Sequence, residues 1–182
     1  MPNADQPAPA LLPKWAATIA TREGLGLNVR PASPDDEQAL AEFFGQLSPQ
    51  DLRFRFLSAM KQVTPGLARQ LVDVDHTKTE NLIAFDAKDR LVATAMIAAP
   101  GGTDDAEVAL AVRSDLKGHG IGWSMLDHAC NYARSRGFKA VHSLQLSDDR
   151  AAISLEQEMG FRAKPCADDM SLVILTRDLA AT

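Results

Sequence analysis

One stretch of the sequence, Ala106–Arg134, constrains the fold more than any other. Its first part, Glu107–Val112, is short, apolar after the glutamate and partly β-branched, as expected of a buried strand. A turn leads to glycines at positions 118, 120 and 122, and the residues that follow have a helical period. The apolar stripe of this helix consists of Ile121, Met125, Leu126, Ala129, Cys130 and Ala133. The sequence therefore predicts a strand, a glycine loop and a helix in direct succession.

The glycine loop opens a helix, and this position suits a phosphate group. A helix start carries unpaired backbone N–H groups and a partial positive charge, and glycines let a ligand approach the backbone. Lys117 adds a full positive charge just before the loop. The spacing matches neither the G-x-x-x-x-G-K-[ST] loop of nucleotide-binding proteins nor the G-x-G-x-x-G turn of dinucleotide folds. It is a basic residue followed by x-x-G-x-G, and a tight turn without a ligand remains the alternative.

Composition narrows the class of protein. A chain of 182 residues with 46% apolar and 24% charged residues fits one globular domain with a substantial core. The net charge of −5 argues against a nucleic-acid partner and is compatible with a cationic substrate such as an amine. Two cysteines do not form a disulfide framework, so a reducing cytoplasm is the expected compartment. No apolar run approaches the roughly 20 residues of a membrane span, so no membrane partner is expected.

The rest of the sequence predicts one domain after an N-terminal extension. Residues 1–27 form the extension, with a mobile tail over residues 1–13 and a short helix over Lys14–Arg22, and residues 28–182 form the domain. Three helix starts share a hydroxyl residue followed by proline, which is typical of an N-cap and a first helical position. The predicted strands are Leu25–Arg30, Glu80–Phe85, Leu91–Ala98, Glu107–Val112, Ala140–Leu146 and Met170–Thr176. The predicted helices begin at Pro34, Pro49, Pro65, Ile121 and Ala151 and end near Gln46, Met60, Val72, Arg136 and Met159.

These elements follow the order β-α-α-α-β-β-β-α-β-α-β. The three consecutive strands form an antiparallel meander, because short turns connect them. The helix after the glycine loop makes the next strand parallel to Glu107–Val112. The expected class is therefore α/β (α+β), with a mixed sheet.

This order and several short motifs resemble the GNAT acetyltransferase superfamily over about Asn28–Thr176. The loop from Lys117 to Gly122 resembles the coenzyme A pyrophosphate loop of that family, Gly160-Phe161 its usual end to the last helix, and Arg30-Pro31 its common opening. The resemblance implies a mixed, mostly antiparallel central sheet of six to seven strands flanked by helices. It also implies an enzyme that uses acetyl-CoA as co-substrate.

Two longer segments resemble a narrower group, the bacterial protein lysine acetyltransferases that modify acyl-CoA synthetases. They are Leu47-Ser48-Pro49-Gln50-Asp51 with Arg53-Phe54-Arg55-Phe56, and Val112-Arg113-Ser114-Asp115-Leu116-Lys117-Gly118. This similarity implies direct acetyl transfer to a protein lysine side chain, with an acyl-CoA synthetase as acceptor. A small-molecule amine acetyltransferase and a non-catalytic acyl-CoA-binding regulatory module are the alternatives, and a homodimer stays open.

Glu107 is the candidate catalytic residue. A lysine ammonium, with a pKa of about 10.4, must lose a proton before it can attack a thioester, and a nearby carboxylate can take that proton. Alternation along the strand places Glu107 on the same face as Ala109 and Ala111, whose small side chains leave room. In several protein lysine acetyltransferases of the family, a glutamate opens this strand and acts as the general base. The alternative is a solvated glutamate at a strand end.

The resemblance also implies which residues hold acetyl-CoA. The backbone of Leu110, Ala111 and Val112 is expected to face the pantetheine arm, with Lys117 near the pyrophosphate. The amides expected to hold the pyrophosphate are those of Gly118, His119, Gly120, Ile121 and Gly122. Asp149 stands where the family often has an asparagine; it is expected as a helix N-cap and can also reach the cofactor arm. No metal ligands are expected.

The general acid is left open by the sequence. Glu156 stands where many family members carry a tyrosine that protonates the departing thiolate. A thiolate with a pKa near 8.5 can also depart without a dedicated acid. Arg53 and Arg55 are candidate contacts to the substrate or to coenzyme A, whereas His128 and His142 are expected to be structural.

Overall fold

The computed structural model describes residues 15–180 apart from residues 100 and 102. In this part of the chain, eight strands form one sheet: β1 (Ala17–Ala20), β2 (Gly26–Pro31), β3 (Thr79–Phe85), β4 (Leu91–Ala98), β5 (Asp105–Val112), β6 (Ala140–Leu146), β7 (Arg162–Pro165) and β8 (Leu172–Asp178). The α-helices of the same part are α1 (Glu37–Gly45), α2 (Pro49–Phe56), α3 (Pro65–Val72), α4 (Ile121–Ser135) and α5 (Arg150–Glu158). Short 3-10 turns cover Pro34–Asp36 and Ser114–Leu116.

The sheet is mixed and mostly antiparallel, as predicted. Its strand order is β1-β2-β3-β4-β5-β6-β8-β7, and β5 with β6 is the parallel pair of this ladder. The helix α4 connects these two strands, which is why they run in the same direction. The sheet has eight strands in the described chain, so the expected count of six to seven was too low.

The predicted helix over Lys14–Arg22 is wrong from residue 15 onward, because Ala17–Ala20 is the edge strand β1. It pairs antiparallel with β2, with Ala17 opposite Val29. A tight turn makes this hairpin: the Gly24 N–H donates to the Thr21 carbonyl at 2.9 Å, and Gly24 has a φ of +82°. Pairing with β2 outweighs the weak helical pattern of this segment. The predicted mobile tail, residues 1–13, lies outside the described residues.

Other elements also differ from the prediction. The strand β7 was missed, because its four exposed residues give no alternation of apolar and polar side chains. The last strand begins and ends two residues later than predicted, at Leu172 and Asp178. The helix α2 stops at Phe56 instead of near Met60, since Leu57 takes a left-handed conformation with a φ of +54°.

Helices cover both faces of the sheet. The helix α4 packs its apolar stripe, including Met125 and Leu126, on one face together with Val108 and Val141. The helices α1, α2 and α3 cover the other face, where Phe44 packs with Ile83 and Ala111. Residues of β5 therefore alternate between two cores, and Glu107 shares the face of Ala111.

The predicted hydroxyl N-caps are confirmed for two helices. The Ser48 hydroxyl accepts from the Asp51 N–H at 3.1 Å, and the Thr64 hydroxyl accepts from the Leu67 N–H at 3.2 Å. The third signature, at Ser33, opens the 3-10 turn that leads into α1. Each cap fixes where its helix starts, and Ser48 thereby places α2 over the carboxyl end of β5.

Asp36 is the buried anchor of this N-terminal region. Arg30 donates to its carboxylate twice, from Nη1 at 2.7 Å and from Nη2 at 2.6 Å, and the Ser33 N–H donates at 2.8 Å. Burial alone would raise the pKa of the Asp36 carboxyl, but the hydrogen bonds from Arg30 and Ser33 outweigh it and lower the pKa. The folded state therefore favours the charged carboxylate.

Asp36→Asn is expected to destabilise the fold by about 1–3 kcal/mol at neutral pH, because it leaves a partly buried guanidinium without its partner. The loss should shrink as the pH falls below about 4, since a carboxyl with a lowered folded-state pKa stabilises above its unfolded pKa and ceases to do so on protonation. Urea denaturation at neutral and acid pH measures both effects. The exposed neighbour Asp35→Asn is the control, and equal stability of the two variants would contradict the assignment.

Candidate active site

The strands β5 and β6 separate along their length and leave a cleft between them. They pair only where Asp105–Glu107 lies opposite Ala140–His142, although β5 continues to Val112 and β6 to Leu146. The pair Glu107 and His142 is the last before the strands diverge, and we call it the vertex. Beyond the vertex, the β5 backbone toward β6 is free to pair with an extended ligand.

The glycine loop closes the wide end of this cleft. Gly118 and Gly120 have φ values of +82° and +75°, a backbone that other residues rarely adopt, and Gly120 is the N-cap position of α4. A side chain on Gly122 would meet the cleft wall, because its Cβ would lie 3.4 Å from Leu155 Cδ1 and 3.7 Å from Leu110 Cδ2. The cleft has a volume of about 280 Å³. Its walls come from α2, β5, the loop, β6 and α5, and include Asp51, Phe54, Arg55, Leu110, Ala111, Val112, Lys117, Gln145, Asp149 and Glu156.

The loop is tied to the start of α2. Asp51 accepts a hydrogen bond from the Lys117 ammonium and another from the Ser114 hydroxyl. The Ser48 N–H in turn donates to the Ser114 hydroxyl at 2.8 Å. Lys117 lines the cleft, and the Asp51 carboxylate balances its charge, a contact that the sequence did not reveal.

The β1–β2 hairpin braces the outer side of the loop. The Cβ position of Gly120 lies 3.4 Å from Thr21 Cβ, and the Arg22 guanidinium lies over the Trp123 ring at 4.0 Å. His119 is exposed and its Nδ1 lies 3.1 Å from the Glu23 carboxylate. The His119 side chain therefore faces the hairpin, and only its backbone remains a candidate for ligand contact.

Glu107 lies at the vertex with its side chain half exposed. His142 Nε2 is 3.8 Å from its Oε2, a separation that suits electrostatic attraction and is too long for a direct hydrogen bond. His142 lowers the pKa of Glu107, burial opposes this, and the more distant Arg55 adds to the lowering. Glu107 in turn raises the pKa of His142. Sequence reasoning treated His142 as structural, because the register that brings it beside Glu107 is a tertiary feature.

Arg55 lies on α2, and its side chain lines the cleft. Its Nε is buried, and within the described residues that atom has no hydrogen bond. Its guanidinium lies 5.0 Å from the Phe56 ring centroid. Burial lowers the pKa of Arg55 to about 10, and the charge of Glu107 opposes that shift. A positive charge therefore stands in the cleft near the vertex.

Two carboxyl groups, one at the N-cap of α5 and one within α5, line the opposite wall. Asp149 caps the helix by accepting from the Ala152 N–H at 3.2 Å, and it also faces the cleft. Burial raises the pKa of Asp149 and also that of Glu156. Glu156 is 5% exposed and accepts hydrogen bonds from the Ser143 hydroxyl and, at 2.6 Å, from Gln145 Nε2. The two predictions for Asp149, helix cap and cleft residue, are therefore compatible.

Other candidate groups lie elsewhere. His128 Nε2 is 3.3 Å from the Trp15 carbonyl, and Cys130 is buried under the sheet. Across residues 15–180 without 100 and 102, no three His, Cys, Asp or Glu side chains converge in a way that could hold a metal ion. None of the described helices combines the length and the apolar character needed to cross a membrane.

Comparison with known proteins identifies this architecture. The model of the Acetyltransferase (GNAT) family matches residues 47–161, more than half of the chain, and the chain belongs to that family. An acetyltransferase of Pseudomonas aeruginosa is 29% identical over 155 residues, which cover 84% of this chain and 83% of that protein. The protein described here is thus a GNAT N-acetyltransferase, and acetyl-CoA is its co-substrate.

Two solved structures show the shared fold. The GNAT domain of S. lividans PAT has a TM-score of 0.84 at 24% identity, covering 94% of this chain and 99% of that one. The PaiA N-acetyltransferase from Thermoplasma acidophilum, in complex with coenzyme A, has a TM-score of 0.68 at 14% identity, covering 84% and 98%. The eight-stranded sheet and its flanking helices are therefore a GNAT fold.

The cleft fits this co-substrate. The loop presents backbone N–H groups at a helix start, as a pyrophosphate requires. The absence of a side chain at Gly122 keeps the passage between β5 and α5 open. The diverging strands offer the free backbone edge with which an amide-containing arm can pair.

Proposed function

We propose that the protein transfers acetyl from acetyl-CoA directly to a primary amine, and that the acceptor is a protein lysine side chain. The observation that carries this proposal is the carboxylate of Glu107, half exposed at the vertex. A lysine on a large partner can reach such a group from solvent, because it is long and flexible. The sequence similarity to protein lysine acetyltransferases supports the same acceptor class and favours an acyl-CoA synthetase as the acceptor. The proposed compartment is a reducing cytoplasm.

The proposed geometry assigns a part of acetyl-CoA to each region of the cleft. The amides of residues 118–122 hold the pyrophosphate, with Lys117 at its edge. The pantetheine arm pairs with the β5 backbone at Leu110, Ala111 and Val112, and Asp149 contacts the arm from α5. The thioester then lies near the vertex, in reach of an amine that enters beside Glu107.

Glu107 acts as general base in this proposal. Its lowered pKa keeps it charged at neutral pH, and it takes a proton from the acceptor ammonium directly or through a water molecule. The neutral amine attacks the thioester carbonyl and forms a tetrahedral intermediate. The nitrogen loses its second proton to water as the carbon–sulfur bond breaks and coenzyme A leaves. Only a small fraction of a lysine is neutral at neutral pH, since its pKa is about 10.4, so a base that accepts the proton in the course of the reaction raises the rate.

Arg55 favours a second candidate acceptor. The Arg55 guanidinium, whose Nε lacks a hydrogen bond among the described residues, lies near the negative Glu107. The positive group can bind a carboxylate and the negative one an ammonium, so the pair is complementary to an amine that also carries a carboxylate. An amino-acid-like small molecule would satisfy both charges. A small-molecule amine acetyltransferase is therefore the alternative enzyme.

Labelled acetyl-CoA incubated with the protein and a cell lysate distinguishes these acceptors. Mass spectrometry that finds label on protein lysines supports the proposal, and label in a metabolite supports the small-molecule alternative. Tight acetyl-CoA binding without label on any acceptor would instead indicate a non-catalytic acyl-CoA-binding module. Heat-denatured protein is the control for spontaneous acetylation, which acetyl-CoA produces without an enzyme.

A further inference from the structure

A buried carboxyl group occupies the wall of the cleft on the side away from Glu107. Glu156 lies on α5, is 5% exposed and lines the cleft together with Gln145. The Ser143 hydroxyl and the Gln145 amide donate to its two oxygens. These contacts fix the carboxyl group in one place, so its position relative to the vertex is well defined.

The Ser143 contact places Glu156 beside the narrow end of the cleft. Ser143 follows His142, the last residue of β6 that pairs with β5. It shares a strand face with Val141, which packs in the core beneath α4. Glu107 lies on the opposite face, with Ala111 and the helices α1–α3. The two glutamates therefore flank the vertex from opposite faces of the sheet.

The surroundings of Glu156 favour its neutral form. Burial raises its pKa most, the bonds from Ser143 and Gln145 act in the opposite direction, and the charge of Asp149 raises it further. Among the described residues, no lysine or arginine forms an ion pair with it. The neutral form also keeps its hydrogen bonds, since a protonated carboxyl can donate to the Ser143 oxygen while Gln145 donates to the other oxygen.

We propose that Glu156 is a catalytic residue, the general acid that protonates the departing sulfur of coenzyme A. This assignment rests on the proposed acetyl transfer but holds for any amine acceptor. As the amine nitrogen bonds to the acetyl carbon, the carbon–sulfur bond breaks and its electron pair goes to sulfur. The Glu156 O–H proton then moves to that sulfur. The acceptor ammonium loses two protons in all, one to Glu107 before the attack and the other to water as the tetrahedral intermediate collapses to the amide. Exchange with water returns both carboxyl groups to their starting forms.

A carboxylic acid in this position favours departure of the coenzyme A sulfur, because it can protonate the thiolate. A thiol has a pKa near 8.5, so a newly formed thiolate is a strong enough base to take a proton from a nearby carboxyl group. General acid catalysis typically contributes about 10²–10⁴-fold. Because a thiolate can also leave unaided, the effect here should lie at the lower end.

The test compares two acetyl donors, acetyl-CoA and its analogue with selenium in place of the thioester sulfur. A selenol is a stronger acid than a thiol and departs without protonation. Glu156→Gln should lower kcat by about 10- to 100-fold with acetyl-CoA but by less than about threefold with the selenium analogue. The affinity for both donors should stay unchanged, and Glu158→Gln, the same change at an exposed site of α5, should change neither rate.

The outcomes separate the assignment of Glu156 from the proposed function. The assignment alone is overturned if the wild type uses both donors and Glu156→Gln lowers both rates by the same factor. It is likewise overturned if Glu156→Gln leaves both rates unchanged. Wild type that transfers acetyl from neither donor to any amine overturns both. The pH dependence of the wild type gives a further test that does not depend on the folding of a variant. The wild-type kcat should fall at alkaline pH with acetyl-CoA, as Glu156 loses its proton, and should not fall with the selenium analogue.

Discussion

Glu107→Gln is expected to lower kcat by about 10²–10⁴-fold at neutral pH, the largest effect of any single substitution proposed for this protein. The amide keeps the size of the side chain at the vertex but cannot accept the acceptor's proton. Binding of acetyl-CoA should be unchanged, because Glu107 lies beyond the residues that line the cofactor cleft. Steady-state release of free thiol measures the rate, and calorimetry measures the affinity.

The pH dependence gives this prediction a second readout. The lowered pKa of Glu107 places its protonation below the usual range for a glutamate, so protonation of Glu107 should reduce the wild-type rate only in acid. Asp105→Asn, the same chemical change on the same strand face, is the matched control and should stay within about threefold of wild type. Retention of more than a third of wild-type kcat by Glu107→Gln would contradict the role of general base.

Gly122→Val is expected to weaken acetyl-CoA binding by about 10- to 100-fold. The new Cβ would lie 3.4 Å from Leu155 and 3.7 Å from Leu110 and Val112, and the added methyl groups would fill the passage between β5 and α5. Bound acetyl-CoA would then be overpacked against the valine. Overpacking costs about 1–3 kcal/mol, here of binding free energy, and each 1.4 kcal/mol corresponds to about tenfold in Kd.

The fold itself should survive this substitution. Gly122 lies inside α4 with ordinary helical geometry, where valine costs less than 1 kcal/mol relative to the best helix formers. Gly66→Val is the control, since Gly66 is an exposed residue of α3 with nothing within 4 Å of its Cβ position. Calorimetric titration with coenzyme A decides the outcome, and an unchanged Kd for Gly122→Val would show that the cofactor does not use this passage.

Local sequence signals predicted most of the fold. Ser48 and Thr64 fixed two helix starts through side-chain caps, and the apolar runs of β3, β4 and β5 marked the central strands. Each of these signals depends only on a few neighbouring residues. The edge strands β1 and β7 were not predicted, because they are four residues long and depend on a partner strand for their stability.

The candidate site was predicted in part, for a related reason. The glycine loop and the face of Glu107 follow from spacing and alternation, which are local properties. The pairing of Lys117 with Asp51 and the approach of His142 to Glu107 join residues far apart in sequence. The contact of Glu156 with Ser143 is of the same kind. Strand register and helix docking create these contacts, and a single sequence does not specify either one locally.

The N-terminal hairpin has a practical consequence for anyone who shortens this protein. A fragment beginning at residue 28 would retain every segment that resembles the family and the whole matched region. It would nevertheless lack Thr21 and Arg22, which pack against Gly120 and Trp123 at the mouth of the cofactor cleft. Trimming guided by motif boundaries alone would therefore remove the outer support of the glycine loop. The shortened enzyme would bind its acetyl donor more weakly.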